Sequence, residues 1–201
     1  GGEFGHLLEA VRSLSTEGKG HLLLVTGEAG IGKSRLTGEV IRQLDPTRLT
    51  VAQGACLSYT QTISYGLLRQ VFRSLFRLRD HVPEHDECER ISEQVRNLAG
   101  DQAEDLLPYL LHLMAVDLRE KALAEKVVHL EPARLRQQTF LAVRDFLGLA
   151  ARQRPLLVIL EDLHWVDRSS LDLLLFLAGL TRRVPLILYG ISRPQSEAAD
   201  R

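Results

Sequence analysis

The sequence predicts an α/β fold: a parallel sheet with helices on both faces. Three observations lead there. Apolar runs at about 21–26, 49–55, 156–160 and 186–191 are separated by stretches whose apolar residues recur at helical spacing. The first run leads into a glycine-rich turn that opens onto a helix, and the third ends in paired carboxylates. Strands that are apolar on both faces and joined through helices have to be covered on each side, which is the condition of a parallel sheet.

Taken in order, Phe4, Leu7, Leu8, Val11 and Leu14 give a short first helix, and Ser15 to Gly20 a turn into the first strand. Residues 33–44 read as helix until Asp45-Pro46 stops it. A strand at 49–55 follows, then a helix at 64–78 carrying Leu67, Leu68, Val71, Phe72, Leu75 and Phe76. From 80 to 131 the texture changes to a helical insertion. Its charged first half has a thin apolar stripe at Cys88, Ile91, Val95 and Leu98, and its leucine-rich second half should open a helix at Pro108. Pro132 starts a long helix whose buried face is Leu135, Thr139, Ala142, Val143, Phe146, Leu149 and Ala150. Pro155 precedes the third strand. Ser169 and Asp172 have capping-box spacing for a helix at 170–182, and Pro185 starts the last strand.

Composition narrows the function classes. The 201 residues suffice for one substantial core with an appended subdomain. Lys plus Arg number 25 against 26 acids, so charge gives no case for nucleic acid or a membrane surface as the main partner. No stretch reaches the roughly 20 apolar residues of a membrane helix. Cys56 and Cys88, in no paired spacing, fit free thiols in a reducing, cytoplasmic setting.

The chemistry gathers first at Gly27-Glu28-Ala29-Gly30-Ile31-Gly32-Lys33-Ser34, which follows the apolar run Leu22 to Val25. Strand, glycine turn and helix starting at Lys33 are the parts of a phosphate-binding loop. The glycines let main-chain N–H groups approach an anion, and the helix N-terminus adds unpaired donors. The expected nucleotide contacts run through Gly27, Glu28, Ala29, Gly30, Ile31, Gly32, Lys33, Ser34 and Arg35. Lys33 would reach the β- and γ-phosphates, and Ser34 would offer its hydroxyl to Mg²⁺.

The second half of the site is Glu161-Asp162, where the third strand ends. Ligands of open α/β sheets gather at the carboxyl ends of strands, the edge that also carries the glycine turn. By position, Glu161 is the metal-side acid and Asp162 the water-side base, with the opposite assignment open. Simple strand caps are the competing reading. The last strand ends in Ser192-Arg193-Pro194. Arg193 could stabilise γ-phosphate charge in cis or report whether that phosphate is present, against the plainer reading of an exposed arginine. His164 is expected to hydrogen-bond a neighbouring loop and Trp165 to pack under the sheet edge.

Leu160-Glu161-Asp162-Leu163-His164-Trp165-Val166-Asp167 resembles the Walker B signature of the AAA-related STAND ATPases. That group includes domains joined to bacterial class III adenylate and guanylate cyclases and to large LuxR-type transcription regulators. The loop at 27–36, Gly54-Ala55-Cys56 with Ser64-Tyr65, the helix at 132–152 and Ser192-Arg193-Pro194 are similar to the family's wording. The likeness spans nearly all of 1–201 and is least diagnostic in the insertion. It implies a P-loop NTPase core working as a slow, Mg²⁺-dependent ATPase switch. ADP would hold the resting state, and ATP would promote self-association or release of an attached output domain. Arg193 is similar to the arginine that senses the γ-phosphate. The family usually opens with Gly-Arg-Glu, where this chain has Gly1-Gly2-Glu3, and it usually carries a fifth strand and helical lid beyond the point where this chain ends. A DNA-handling ATPase related to replication initiators is the alternative, though it would want a basic surface. A GTPase would need an Asn-Lys-x-Asp element, which is lacking, and the arginines at 134, 136, 152 and 154 are too scattered for a small-molecule kinase.

Overall fold

The computed structural model describes residues 2–28, 30, 32–78, 84–116 and 121–194. Four parallel strands form one sheet: β1 (His21–Thr26), β2 (Thr50–Ala55), β3 (Leu156–Glu161) and β4 (Leu186–Ser192). Their order is β1-β4-β3-β2, so β4 separates the strand leading into the glycine turn from the strand ending in the acids. In register, Thr26 lies beside Ser192, Leu160 beside Gly190 and Ala55 beside Glu161, which brings the carboxyl ends of all four strands to one edge.

Alternation along the strands divides the core in two. Leu157 and Ile159 of β3, with Ile187, Tyr189 and Ile191 of β4, face α1 (Gly2–Glu17) and α2 (Lys33–Arg42). Leu156, Val158 and Leu160, with Leu186 and Leu188, face the larger core. That core is built by α3 (Gly66–Leu75), α4 (Glu84–Ala99), α5 (Ala103–Met114), α6 (Lys121–Val128), α7 (Pro132–Gln153) and α8 (Arg168–Leu177). Phe72, Phe76 and Phe146 meet at centroid distances of 5.4–5.9 Å and lock α3 to α7. At one flank of the sheet, α3 covers the free edge of β2. Ser74 Oγ accepts from Gln53 N and Gln70 Oε1 from Ala55 N, both at 3.1 Å. At the other flank, Leu22 and Leu24 of β1 are 60% and 64% exposed.

Three expectations are corrected. Pro108 lies inside α5 rather than opening a helix. A proline there removes the N–H that would bond the carbonyl four residues back, Glu104 O. Lys126 of α6 supplies the missing donor, its Nζ donating to Glu104 O at 2.8 Å. The leucine-rich face on both sides of the proline then stays buried. Lys126→Ala should cost no more than about 0.5–1 kcal/mol in urea unfolding, the net worth of one exposed hydrogen bond. Second, α8 begins at Arg168 and ends at Leu177, with a 3₁₀ segment over Ala178–Arg182. Its cap is Asp167, whose side chain accepts from Ser170 N, while Asp172 instead bridges Arg136 and Arg168. Third, Leu147 and Ala151 of α7 are more deeply buried than Leu149 and Ala150, because the helix packs against neighbours on more than one side.

Candidate functional site

The turn after β1 is shaped by its glycines. Gly30 has φ 82° and Gly32 φ 94°, a left-handed backbone that side-chain-bearing residues rarely adopt. Gly32 is the residue before α2, so the helix starts at Lys33 with its first N–H groups facing the turn. Lys33 Nζ curls back to donate to Gly27 O at 2.5 Å and Glu28 O at 2.7 Å, and Thr37 Oγ1 donates to Lys33 O. Gly27 N donates to Ser192 O, tying the turn to the end of β4. Glu28 and Arg35 are exposed. Ala29, Ile31 and the side chain of Ser34 lie outside the described residues.

Two strand spacings, about 10 Å, separate the ends of β1 and β3. Glu161 continues the alternation of Leu157 and Ile159 and so faces the α2 side, where it lines a cleft of about 690 Å³ with Thr37, Gly38 and Gln53. Burial, and then the charge of Asp162, raises its carboxyl above the ordinary glutamate range. At Asp162 the chain leaves the strand with φ 53° and ψ 41° and enters a 3₁₀ turn, Leu163–Trp165, closed by Trp165 N donating to Asp162 O. Left-handed backbone is uncommon away from glycine and concentrates at functional positions.

The histidine of that turn sits otherwise than the sequence led one to expect. His164 Nδ1 lies 4.0 Å from Asp162 Oδ1, and both ring nitrogens are buried without a hydrogen-bond partner, so the expected bond to a neighbouring loop is not made. Its pKa is lowered chiefly by burial; Asp162 opposes that, and the charges of Arg193 and Lys33 add to it. The electrostatics at one imidazole thus register three of the predicted groups, from the ends of β3, β4 and the glycine turn. Arg193 itself is exposed, beyond Ser192. Trp165 is 38% exposed, its ring 5.2 Å from that of His164 rather than tucked under the sheet. Cys56, at the end of β2, is buried, its thiol pushed up to about 12 by burial and by Asp167 and Asp162, so it stays protonated at neutral pH.

A model of the AAA ATPase domain matches residues 1–189. The chain belongs to the AAA ATPase domain family. This AAA domain is similar to an uncharacterized protein of Rhizobium meliloti (strain 1021), 28% identical over 189 residues. The match takes in 88% of the chain and 16% of the relative, so the AAA domain spans about one sixth of that protein's length. No described helix of the domain is long and apolar enough to cross a membrane.

The acids at this edge also bear on metal type. Among the described residues no three His, Cys, Asp or Glu side chains converge as a metal cage. Two carboxylates at the sheet edge that also carries the glycine turn would instead suit a hard cation that keeps waters and takes its remaining oxygens from a phosphate chain, as Mg²⁺ does. The residues present fit that group.

Proposed function

We propose that the chain is the nucleotide-operated core of a cytoplasmic STAND-type switch, binding ATP with Mg²⁺ and hydrolysing it slowly to control an output domain elsewhere in a longer protein. One observation carries the reading: the glycine turn with Lys33, the Glu161-Asp162 edge and Arg193 share one end of the sheet, with His164 between them. The turn's N–H groups and Lys33 bind the phosphates, Lys33 exchanging its two carbonyl partners for phosphate oxygens. Bound Mg²⁺ would neutralise charge on the β- and γ-oxygens, with Ser34 and Glu161 as its protein-side holders. Asp162, turned out of the strand, orients a water and accepts its proton. Arg193 reads the γ-phosphate, which gives ATP and ADP different contacts and hence different preferred states.

Thermal melts in Mg-ATP, Mg-ADP and Mg-GTP test the reading. Saturating Mg-ATP should raise the midpoint by several degrees, and Lys33→Ala should abolish the rise while leaving the unliganded midpoint close to that of the parent. Equal shifts in parent and variant would overturn it. Arg193→Ala should narrow the ATP-over-ADP difference.

A further inference from the structure

Asp167 has so far entered only as the cap of α8, yet it is 5% exposed and bears two demands on one oxygen. Its Oδ1 accepts from Ser170 N at 2.9 Å, capping α8, and from Tyr65 N at 2.9 Å, 102 residues away at the start of α3. Tyr65 is held in a left-handed backbone, φ 60° and ψ 23°, costly for a bulky side chain unless its surroundings impose it. At the other end of the same short segment, Asp162 is left-handed too. The stretch 162–166, which carries His164 and Trp165, is therefore fixed at its start by β3 and at its finish by the carboxylate of Asp167. Between them Leu163 packs over Gly190 of β4.

We propose that Asp167 is a positioning residue: by bonding Ser170 N and Tyr65 N together, it holds the Asp162–His164 turn in register with the phosphate-binding turn. This rests on the ATPase reading above for its consequence, not for its geometry. The phosphate-binding turn is carried by β1 and α2 and tied to β4 through Gly27 N and Ser192 O, with no bond to Asp167 among the described residues. Loosening Asp167 thus reaches the water-side acid and leaves phosphate capture alone. A single side chain also explains why the turn after β3 answers to α3, an element that touches neither the glycine turn nor Arg193 through any described hydrogen bond.

Substitution can separate a plain helix cap from a bridge. Asp167→Asn keeps the same carbonyl acceptor for both N–H groups. Asp167→Ser keeps a good cap for α8 on a side chain too short to reach Tyr65 as well. The chain has one tryptophan, Trp165, so its emission reports this turn alone. With Asp167→Ser we expect ATP turnover to fall about tenfold and acrylamide quenching of Trp165 to rise about twofold, with Mg-ADP affinity within about threefold of the parent. Asp167→Asn should restore turnover and quenching, and a merely structural role would move neither once the protein is folded. Parent-like turnover and quenching in a folded Asp167→Ser protein would overturn the proposal. If the parent binds and hydrolyses no ATP, the ATPase reading fails on its own, and the quenching comparison still decides whether Asp167 holds the turn.

Discussion

Asp162→Asn is expected to lower ATP turnover by about 10²–10³-fold while Mg-ADP binding stays within about threefold of the parent, because a base that takes a proton contributes on that scale to the chemical step and little to ground-state binding. The variant is clean on structural grounds. Asn tolerates the left-handed backbone found at φ 53°, so the exit from β3 should survive. The amide cannot take up the proton. The glycine turn, proposed to hold the phosphates, follows another strand two positions away in the sheet. Phosphate release at saturating ATP, paired with calorimetric titration of Mg-ADP, reads both quantities. Glu161→Gln provides the contrast: it should move the Mg²⁺ concentration for half-maximal turnover upward. If Asp162→Asn shifts the Mg²⁺ requirement and Glu161→Gln stops the chemistry, the two acids exchange roles; if neither changes turnover, the edge is not catalytic.

Gly20→Ala should be strongly destabilising. A Cβ at residue 20 would lie 2.3 Å from Thr181 O, 2.4 Å from Leu186 O and 2.6 Å from Val184 O. All three are backbone carbonyls in the approach to β4, so no flexible side chain can move aside. Relief would require parting β1 from β4, the pair that aligns Thr26 with Ser192. Overpacking of this kind costs about 3 kcal/mol, a fall in midpoint of roughly 6–12 °C for a chain of this size. Gly5→Ala is the control, since a Cβ there meets nothing within 4 Å inside α1 and should be neutral or slightly stabilising. A Gly20→Ala midpoint within about 2 °C of the parent would mean the β1–β4 junction is looser than described.

Much of this was legible in the sequence because periodicity and punctuation agree. Short apolar runs bounded by turn residues, such as Leu156 to Leu160 after Pro155, fit interior strands, and Pro132 marks the first turn of α7 where the structure places it. The placement of Glu161-Asp162 and Ser192-Arg193 at one edge followed from parallel strands alone. What stayed hidden depends on contacts between residues remote in the chain. Nothing local says that Lys126 will replace the N–H lost at Pro108, so the proline was read as a boundary. Ser169 has better capping-box spacing than Asp167. Asp167 wins because it is also needed by Tyr65, and no pattern within α8 contains that demand. His164 looked like an ordinary loop residue until the strand order put Lys33 and Arg193 within electrostatic reach of it.

The position of β4 in the sheet has one more consequence. Among the described strands, it alone is bonded both to the strand that feeds the glycine turn and to the strand that ends in the acids. The registers of β4 with its two neighbours therefore fix how the ends of β1 and β3 are aligned, and Arg193 leaves from the end of β4 itself. On the proposed reading, phosphate capture and water attack would both take their alignment from this one strand.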